Sequence, residues 1–207
     1  MPEMKRTVVE KVIFFTLLCW SAGFVRVDAG AGAAPEKSRL SLPVVEIVER
    51  YPPYADFCQR QPDECDLSGE ALLIYSPGLI QKLREINFSV NSEIRFSLDT
   101  NQYGVEDHWA LPIDGFGDCE DFALEKRARL ARSGVARGAL RLAFVLHKRY
   151  LSSHCILTVE TTQGTYILDS YFDEVLRWDH GIYNFEARER TDGRWDRFDQ
   201  MEWTYEY

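Results

Sequence analysis

The feature that most constrains the fold is a glycine-punctuated loop that runs into a helix at a cysteine and is followed by two strand-like segments. The loop ends at Gly117, and apolar residues at helical spacing predict a helix from near Cys119 to Gly134. Segments 153–160 and 166–169 then have strand character and are separated by a short polar turn. Because a short turn joins antiparallel neighbours, these two segments predict an antiparallel strand pair.

Signals elsewhere in the chain agree with this arrangement. Ser76 and Pro77 are typical of a helix N-cap and first position, and an apolar face follows at helical spacing. The region 51–69 holds three prolines and predicts loop structure, whereas 140–146 predicts a further strand. The aromatic and polar segment 195–207 predicts an edge strand. Helices followed by an antiparallel meander predict an α+β fold.

Composition limits the classes of partner. The 207 residues are 45% hydrophobic, which is enough for one globular domain with its own core. The net charge is -9, and no basic stripe interrupts it. This argues against binding to nucleic acid or to anionic lipid, because both need clustered positive charge. We expect an acidic monomer.

The N-terminus has the pattern of a secretory signal. Basic residues precede the apolar run 12–20, and small residues fill 29–33. We therefore predict a signal peptide over 1–31 and a single domain over 32–207. The alternative is an uncleaved membrane anchor, but the apolar run is shorter than the roughly 20 residues that a spanning helix needs.

Export changes how the cysteines are interpreted. Cys58 and Cys65 lie close together, and in an oxidising compartment this spacing favours a disulfide. A zinc pair is the alternative, which is disfavoured because no second Cys or His pair lies nearby. Cys155 follows His154 on a strand and is expected to point into the core as a small hydrophobe. Cys119 is then the thiol with a chemical role.

Three residues form a candidate catalytic set. Cys119 lies at a helix N-terminus, where backbone N–H groups favour the thiolate. His154 would accept the thiol proton and return it to a leaving amine, and Asp169 would fix the tautomer of the imidazole. Each residue alone also has a structural interpretation, as an inert thiol, a structural histidine or a turn residue. The strand–turn–strand spacing, which would make His154 and Asp169 cross-strand neighbours, favours the catalytic one.

The acidic residues beside the cysteine pose a physical problem. Asp118, Glu120 and Asp121 flank the thiol, and nearby negative charge raises a thiol pKa. Clustered carboxylate oxygens suit calcium, and a bound cation would offset their charge. We therefore predict a calcium site formed by these three carboxylates. The alternative is a solvated acidic helix cap.

At these motifs the chain resembles the bacterial transglutaminase-like cysteine proteinases, a family that includes the LapG-type periplasmic adhesin proteases. The core of the resemblance is Gly117-Asp118-Cys119-Glu120-Asp121-Phe122-Ala123. The other matching stretches are the His154 strand ending in Val159-Glu160-Thr161, Gly164-Thr165-Tyr166-Ile167-Leu168-Asp169, Val90-Asn91, Trp109-Ala110-Leu111-Pro112, Phe57-Cys58 with Pro62 and Cys65, and Val175 with Trp178. Together they cover most of residues 45–180.

The resemblance implies a papain-like, transglutaminase-type core in which the helix with the cysteine packs on an antiparallel sheet. It implies Cys119 as nucleophile, His154 as base and Asp169 as orienting acid. It also implies calcium dependence, with Asp118 and Glu120 at the positions that the family uses and Asp121 as a weaker candidate. The chain departs from the family in two places, since Cys155 and Ser170 stand where Ala and Asn are common.

The resemblance further implies a periplasmic protease whose substrate is a large surface adhesin, cut near its N-terminus, so that the enzyme controls attachment and biofilm. An inner-membrane receptor for cyclic-di-GMP restrains the protease in that family. Two other functions fit the same residues. A transglutaminase would pass the acyl group to an amine, and a non-catalytic periplasmic module would keep the motif for calcium alone.

Overall fold

The structure of the protein, a computed structural model, describes residues 39–206, so the predicted signal peptide over 1–31 lies outside the described residues. The described part has α-helices α1 (Pro52–Arg60), α2 (Pro77–Glu93), α3 (Asp99–Gln102) and α4 (Cys119–Arg132). Its strands are β1 (Val44–Val48), β2 (Arg95–Phe96), β3 (Phe116–Gly117), β4 (Leu140–His147), β5 (Ser153–Thr161), β6 (Gly164–Leu168), β7 (Leu176–Arg177), β8 (Tyr183–Glu189) and β9 (Trp195–Phe198).

Seven of the strands form one antiparallel sheet. Their order is β1-β9-β8-β4-β5-β6-β7, while β2 and β3 form a separate parallel pair. The centre of the large sheet is the predicted meander, in which β4, β5 and β6 follow one another through short turns. The α+β prediction is confirmed, with helices packed on an antiparallel sheet.

Both long helices begin and end near the predicted residues. The Ser76 hydroxyl accepts a hydrogen bond from the Leu79 N–H at 3.1 Å, which is an N-cap bond, and α2 follows with Pro77 in its first turn. The other helix, α4, runs from Cys119 to Arg132, as the apolar spacing predicted. Caps and periodicity are local signals, which explains why they were readable from the sequence.

The structure corrects two predictions of local structure. The region 51–69 is not all loop, because α1 occupies Pro52–Arg60. Its two prolines stand in the first turn, where a missing N–H costs nothing, and Tyr54, Phe57 and Cys58 give it a buried face. The segment 195–207 is not an edge either. Its strand β9 pairs with β8 on one side and β1 on the other, so β1 is the edge strand at this end of the sheet.

The core lies on both faces of the sheet. On one face α4 packs against β5, and Leu124 and Leu130 of the helix share a buried cluster with Leu142, Leu157 and Leu168 of the strands. A second cluster covers the other face, with Ala143, Val145, Ile156, Ile167 and Phe185 among its members. The helix that begins at Cys119 is therefore held firmly against the strand that carries His154.

The cysteines outside the candidate site have structural roles. Cys58 and Cys65 form a disulfide that ties the end of α1 to the short helical turn after it, as predicted. Cys155 is buried, as expected of a core residue. Within residues 39–206 we found no helix long and apolar enough to cross a membrane.

Candidate active site and carboxylate cluster

The loop before α4 brings the chain close to its own helix. Gly117 has no room for a side chain, because an added Cβ would lie 2.7 Å from the Cβ of Asp121. Glycine therefore permits the close approach that starts the helix at Cys119, directly after the extended Asp118. The Cys119 side chain is only half buried, so the first turn of α4 presents its thiol to partly open space.

His154 and Asp169 are in direct contact. The register that pairs Leu157 with Leu168 extends to place Asp169 opposite Ile156, which is two residues from His154 on the same face of β5. The Nε2 atom of His154 lies 2.8 Å from Oδ1 of Asp169, and both side chains are buried. The predicted proximity of these two residues is therefore present in the structure, as a diagonal rather than a directly opposed pair.

The surroundings of Asp169 keep its carboxyl group ionised. Its Oδ1 also accepts a hydrogen bond from the Tyr171 N–H at 2.8 Å, and its Oδ2 accepts one from the Tyr183 hydroxyl at 2.5 Å. Although burial acts to raise the pKa of Asp169, the hydrogen bond from His154 and these further donors lower it below the ordinary value. A buried carboxylate of this kind can orient an imidazole and stabilise its charged form.

An aromatic ring covers the histidine. The ring of Tyr171 lies parallel to that of His154, with centroids 4.0 Å apart and an interplanar angle of 5°. Tyr171 is itself half exposed, so it forms the outer wall of the histidine site. Sequence reasoning missed both Tyr171 and Tyr183. The first lies two residues after Asp169, which is a weak local signal, whereas the second comes from β8 and has none.

Two asparagines of α2 hold the loop that carries Asp169. The Oδ1 atom of Asn87 accepts a hydrogen bond from the Asp169 N–H, and its Nδ2 donates to the carbonyls of Phe172 and Asp173. Asn91, one turn later, donates to the Asp169 carbonyl at 3.0 Å. Asn87 is fully buried, and so is the bond that it accepts from the Asp169 N–H, whereas the bonds to the carbonyls are partly buried. Sequence reasoning assigned neither residue this role.

The structure does not join Cys119 to His154 by a hydrogen bond. The Cys119 thiol instead donates to Oε2 of Glu120 at 3.2 Å. Burial, together with the neighbouring Glu120 carboxylate, raises the pKa of the Cys119 thiol well above its ordinary value. The buried Nδ1 of His154 has no hydrogen-bond partner among the described residues, which leaves that nitrogen free to accept a proton.

The acidic residues form a compact group that the sequence identified only in part. Asp99, Asp118 and Glu120 each have an oxygen within 4.8 Å of the others. Burial and the nearby carboxylates raise the pKa of Asp99 to about 6, and burial and Asp118 raise that of Glu120 to about 9. Sequence reasoning missed Asp99, because it comes from α3 and no local pattern links it to the later motif.

Asp121 lies outside this group. Its Oδ1 accepts a hydrogen bond from the Ala110 N–H at 2.7 Å, and the side chain is fully buried. Burial raises the pKa of Asp121 to about 8. Asp121 therefore ties the loop before α4 to the helix, and its role as a metal ligand stays a prediction.

The carboxylate group suits a hard cation. Oδ1 of Asp99 and Oδ1 of Asp118 are buried and have no hydrogen-bond partner among the described residues. Unpaired buried carboxylate oxygens are costly, and a cation with oxygen ligands would satisfy them together. The donor set contains only oxygen, which is the preference of calcium rather than of zinc or copper.

Comparisons with known proteins address the family of the chain. The family model described as "Bacterial transglutaminase-like cysteine proteinase BTLCP" matches residues 46–202. A solved structure of Legionella pneumophila LapG (calcium-bound) is 26% identical, with a TM-score of 0.51 over 61% of this chain and 74% of that chain. The EGTA-treated form is 25% identical, with a TM-score of 0.51 over 61% and 71%. No curated protein matches the chain. The match over most of its length shows that the chain belongs to the bacterial transglutaminase-like cysteine proteinases.

Proposed function

We propose that the protein is an exported, periplasmic cysteine endopeptidase that depends on calcium and cleaves a large cell-surface adhesin near its N-terminus. The family supports proteolysis by a cysteine and hence a protein substrate. The observation that carries the proposal is the buried contact between His154, on the strand β5 against which the helix of Cys119 packs, and Asp169, just after β6. The adhesin and the control of biofilm attachment come from the resemblance described above.

In this proposal each member of the triad has one task. Asp169 accepts the Nε2–H of His154, so the lone pair of the imidazole is on Nδ1 and can take the Cys119 thiol proton. The resulting thiolate attacks the scissile carbonyl, and the tetrahedral oxyanion collapses to a thioester as His154 returns the proton to the leaving amine. Water activated by the same imidazole then hydrolyses the thioester. The Cys119 backbone N–H is a candidate oxyanion donor.

The calcium ion would be held by Asp99, Asp118 and Glu120, the residues whose oxygens converge beside the thiol. Bound there, calcium would supply positive charge that offsets the carboxylates next to Cys119. Glu120 also accepts a hydrogen bond from the Cys119 thiol, so the carboxylate cluster is in direct contact with the nucleophile. Asp121 supports the loop around this cluster through Ala110.

The resemblance also supports a restraining partner. We propose that an inner-membrane receptor for cyclic-di-GMP sequesters the protein when that nucleotide is abundant. Co-purification of the two proteins from membranes, with and without cyclic-di-GMP, tests this part separately from catalysis.

The decisive experiment incubates the protein with the large repeat adhesin of the same genome, with calcium or with EGTA. Mass spectrometry of the products should show one cut near the adhesin N-terminus with calcium and none with EGTA. Cys119→Ala should abolish the cut, whereas the control Cys155→Ala, at the other free cysteine among the described residues, should retain it. Cleavage by Cys119→Ala at the wild-type rate would contradict the proposal, and amine incorporation without chain cleavage would indicate a transglutaminase.

A further inference from the structure

Arginine side chains converge on a cavity on the face of the sheet that does not carry α4. The cavity has a volume of about 340 Å³, and its lining includes Arg39, Arg141, Arg188 and Glu160. Arg141 is on β4, Arg188 on β8 and Glu160 on β5, so three neighbouring strands supply three of the four charged groups, while Arg39 precedes β1. Glu160 lies six residues after His154 on β5, which places it roughly 20 Å from the histidine.

The glutamate in the cavity already has partners. Its Oε1 accepts a hydrogen bond from Arg188 Nη1 at 2.7 Å, and its Oε2 accepts one from the Thr165 hydroxyl at 2.8 Å. Glu160 and Arg188 therefore neutralise each other. The Nε atom of Arg188 is nevertheless buried without a hydrogen-bond partner among the described residues, so this guanidinium retains an unused donor.

Arg141 has no carboxylate partner in residues 39–206. The only hydrogen bond that its side chain makes there is from Nε to the Gly138 carbonyl at 3.3 Å, and the side chain is half buried. Burial, and the neighbouring positive charge of Arg188, lower the pKa of Arg141 below its ordinary value, although the carboxylates of Glu160, Asp196 and Glu189 act in the opposite direction. A half-buried cation beside another cation is unfavourable, and an anion between them would offset both the desolvation and the repulsion.

The balance of charge at this cavity is opposite to that of the whole protein. Three arginines and one glutamate line it, whereas the chain carries a net charge of -9. The guanidinium group presents paired N–H donors whose spacing matches two oxygens of a carboxylate or phosphate. The volume lies at the small end of the range for ligand pockets, which suits a small anion or a single acidic side chain.

We propose that the cavity between Arg39, Arg141 and Arg188 binds an oxyanion of the carboxylate or phosphate class. The anion would pair with Arg141 and Arg39 and accept a hydrogen bond from the unused Nε of Arg188, while Glu160 continues to hold Nη1 of that guanidinium. Because the cavity lies far along β5 from His154, the anion is not the group undergoing cleavage. The site is thus independent of the proposed proteolytic function, and binding is measurable without activity.

Isothermal titration calorimetry of the whole protein in a buffer free of carboxylate and phosphate tests this proposal. The two probes are inorganic phosphate, which represents a free anion, and N-acetyl-glutamyl amide, which represents an acidic side chain of a polypeptide. We expect saturable one-to-one binding of at least one probe. The probe that binds more tightly identifies the source of the anion.

Substitutions in and away from the cavity test whether the anion binds there. Arg141→Gln should weaken the affinity about tenfold or more, which is the effect expected from losing one charge-assisted pair. The matched control Arg84→Gln removes the same charge from the exposed side of α2 and should change the affinity less than about twofold. If Arg141→Gln does not fold, the exposed Arg39→Gln should still weaken binding. Absence of saturable binding by both probes, or unchanged affinity in the cavity variants, would overturn the proposal.

Discussion

Asp169 connects four parts of the site, three through its carboxyl group and one through its backbone. It contacts the His154 ring, the Tyr171 backbone and the Tyr183 hydroxyl, and its own backbone is held by Asn87. Each contact depends on the carboxylate being placed just beyond the end of β6. A small change of charge at this position should therefore have a large effect on the reaction and a modest one on the fold.

We expect Asp169→Asn to lower kcat by a factor on the order of 10³ to 10⁴, because an amide cannot stabilise the imidazolium and can select the wrong tautomer. Steady-state kinetics with the proposed adhesin substrate measure this. Asp173→Asn, an exposed position in the same loop, is the matched control and should stay near wild-type kcat. Equal losses in both variants would mean that the loop, and not the Asp169 charge, is responsible.

Lys126 is a buried cation whose amine has no hydrogen-bond partner among the described residues. Burial lowers its pKa to about 7, although Asp169 and Asp173 act in the opposite direction. A base with a depressed folded pKa binds fewer protons when folded. Its contribution therefore makes the free energy of unfolding rise with pH between about 7 and the ordinary value near 10.5.

We expect Lys126→Met to raise the free energy of unfolding at pH 7 by an amount on the order of a few kcal/mol, because the variant no longer has to bury an ammonium group. The difference between variant and wild type should shrink as pH rises towards 10. Urea unfolding at both pH values measures it, with Lys82→Met on α2 as control. A variant less stable than wild type at pH 7 would show that Lys126 has a stabilising partner.

At the residue scale, the sequence predicted those features of the site that local spacing determines. The catalytic role of Cys119, His154 and Asp169 stays a prediction. The contact between His154 and Asp169 was predictable, because a strand–turn–strand unit sets their spacing. Sequence alone did not predict that Asp99, Tyr171 and Tyr183 belong to the site, since their roles depend on contacts between elements that are distant in the chain. Asp121 was predicted as a cation ligand from its neighbours, and this stays a prediction; in the structure its Oδ1 accepts a hydrogen bond from the Ala110 N–H.

Among the elements, those that the sequence predicted have helix caps or a strong hydrophobic periodicity. The helices α2 and α4 and the strands β4, β5 and β6 fall in this group. The helix α1 was not predicted, because its two prolines normally indicate loops. They stand in the first turn, where a helix accepts proline. The edge position of β1 was not predictable, because sheet order depends on which distant strands pair.

The disulfide at the end of α1 gives a prediction at this scale. The double variant Cys58→Ser/Cys65→Ser should lose about 2.5 kcal/mol of unfolding free energy, the value expected for closing a short loop in the unfolded chain. Urea unfolding measures the loss. Reducing the wild-type protein should give the same loss, and the reductant should not affect the variant. A further loss in the reduced variant would contradict the assignment of the effect to this bond.

For the whole molecule, stability should depend on pH and calcium together. Burial and neighbouring charge raise the pKa of Asp99 to about 6, Asp121 to about 8 and Glu120 to about 9. An acid with a raised folded pKa contributes stability that is complete below its ordinary pKa, near 4, and is lost as pH rises through the folded value. Protein without calcium should therefore lose stability between about pH 5 and pH 9.

We expect calcium to raise Tm more at pH 8 than at pH 5, because ionised carboxylates then need a cation. Thermal unfolding in calcium or in EGTA at both pH values measures this. Asp99→Asn should reduce the calcium increment at pH 8, whereas the exposed Asp56→Asn should not. An increment that is equal at the two pH values, or unaffected by Asp99→Asn, would argue against calcium binding at this cluster.

The outer position of β1 has a consequence for how the molecule is assembled. Its partner β9 is the last strand along the described chain, so the first and last strands in sequence are hydrogen-bonded neighbours. A chain that emerges N-terminus first has β1 available long before β9 exists to receive it. Docking of β1 is thus a late, long-range event. A polypeptide truncated before Trp195 would leave the Val44–Val48 backbone without the strand to which it hydrogen-bonds.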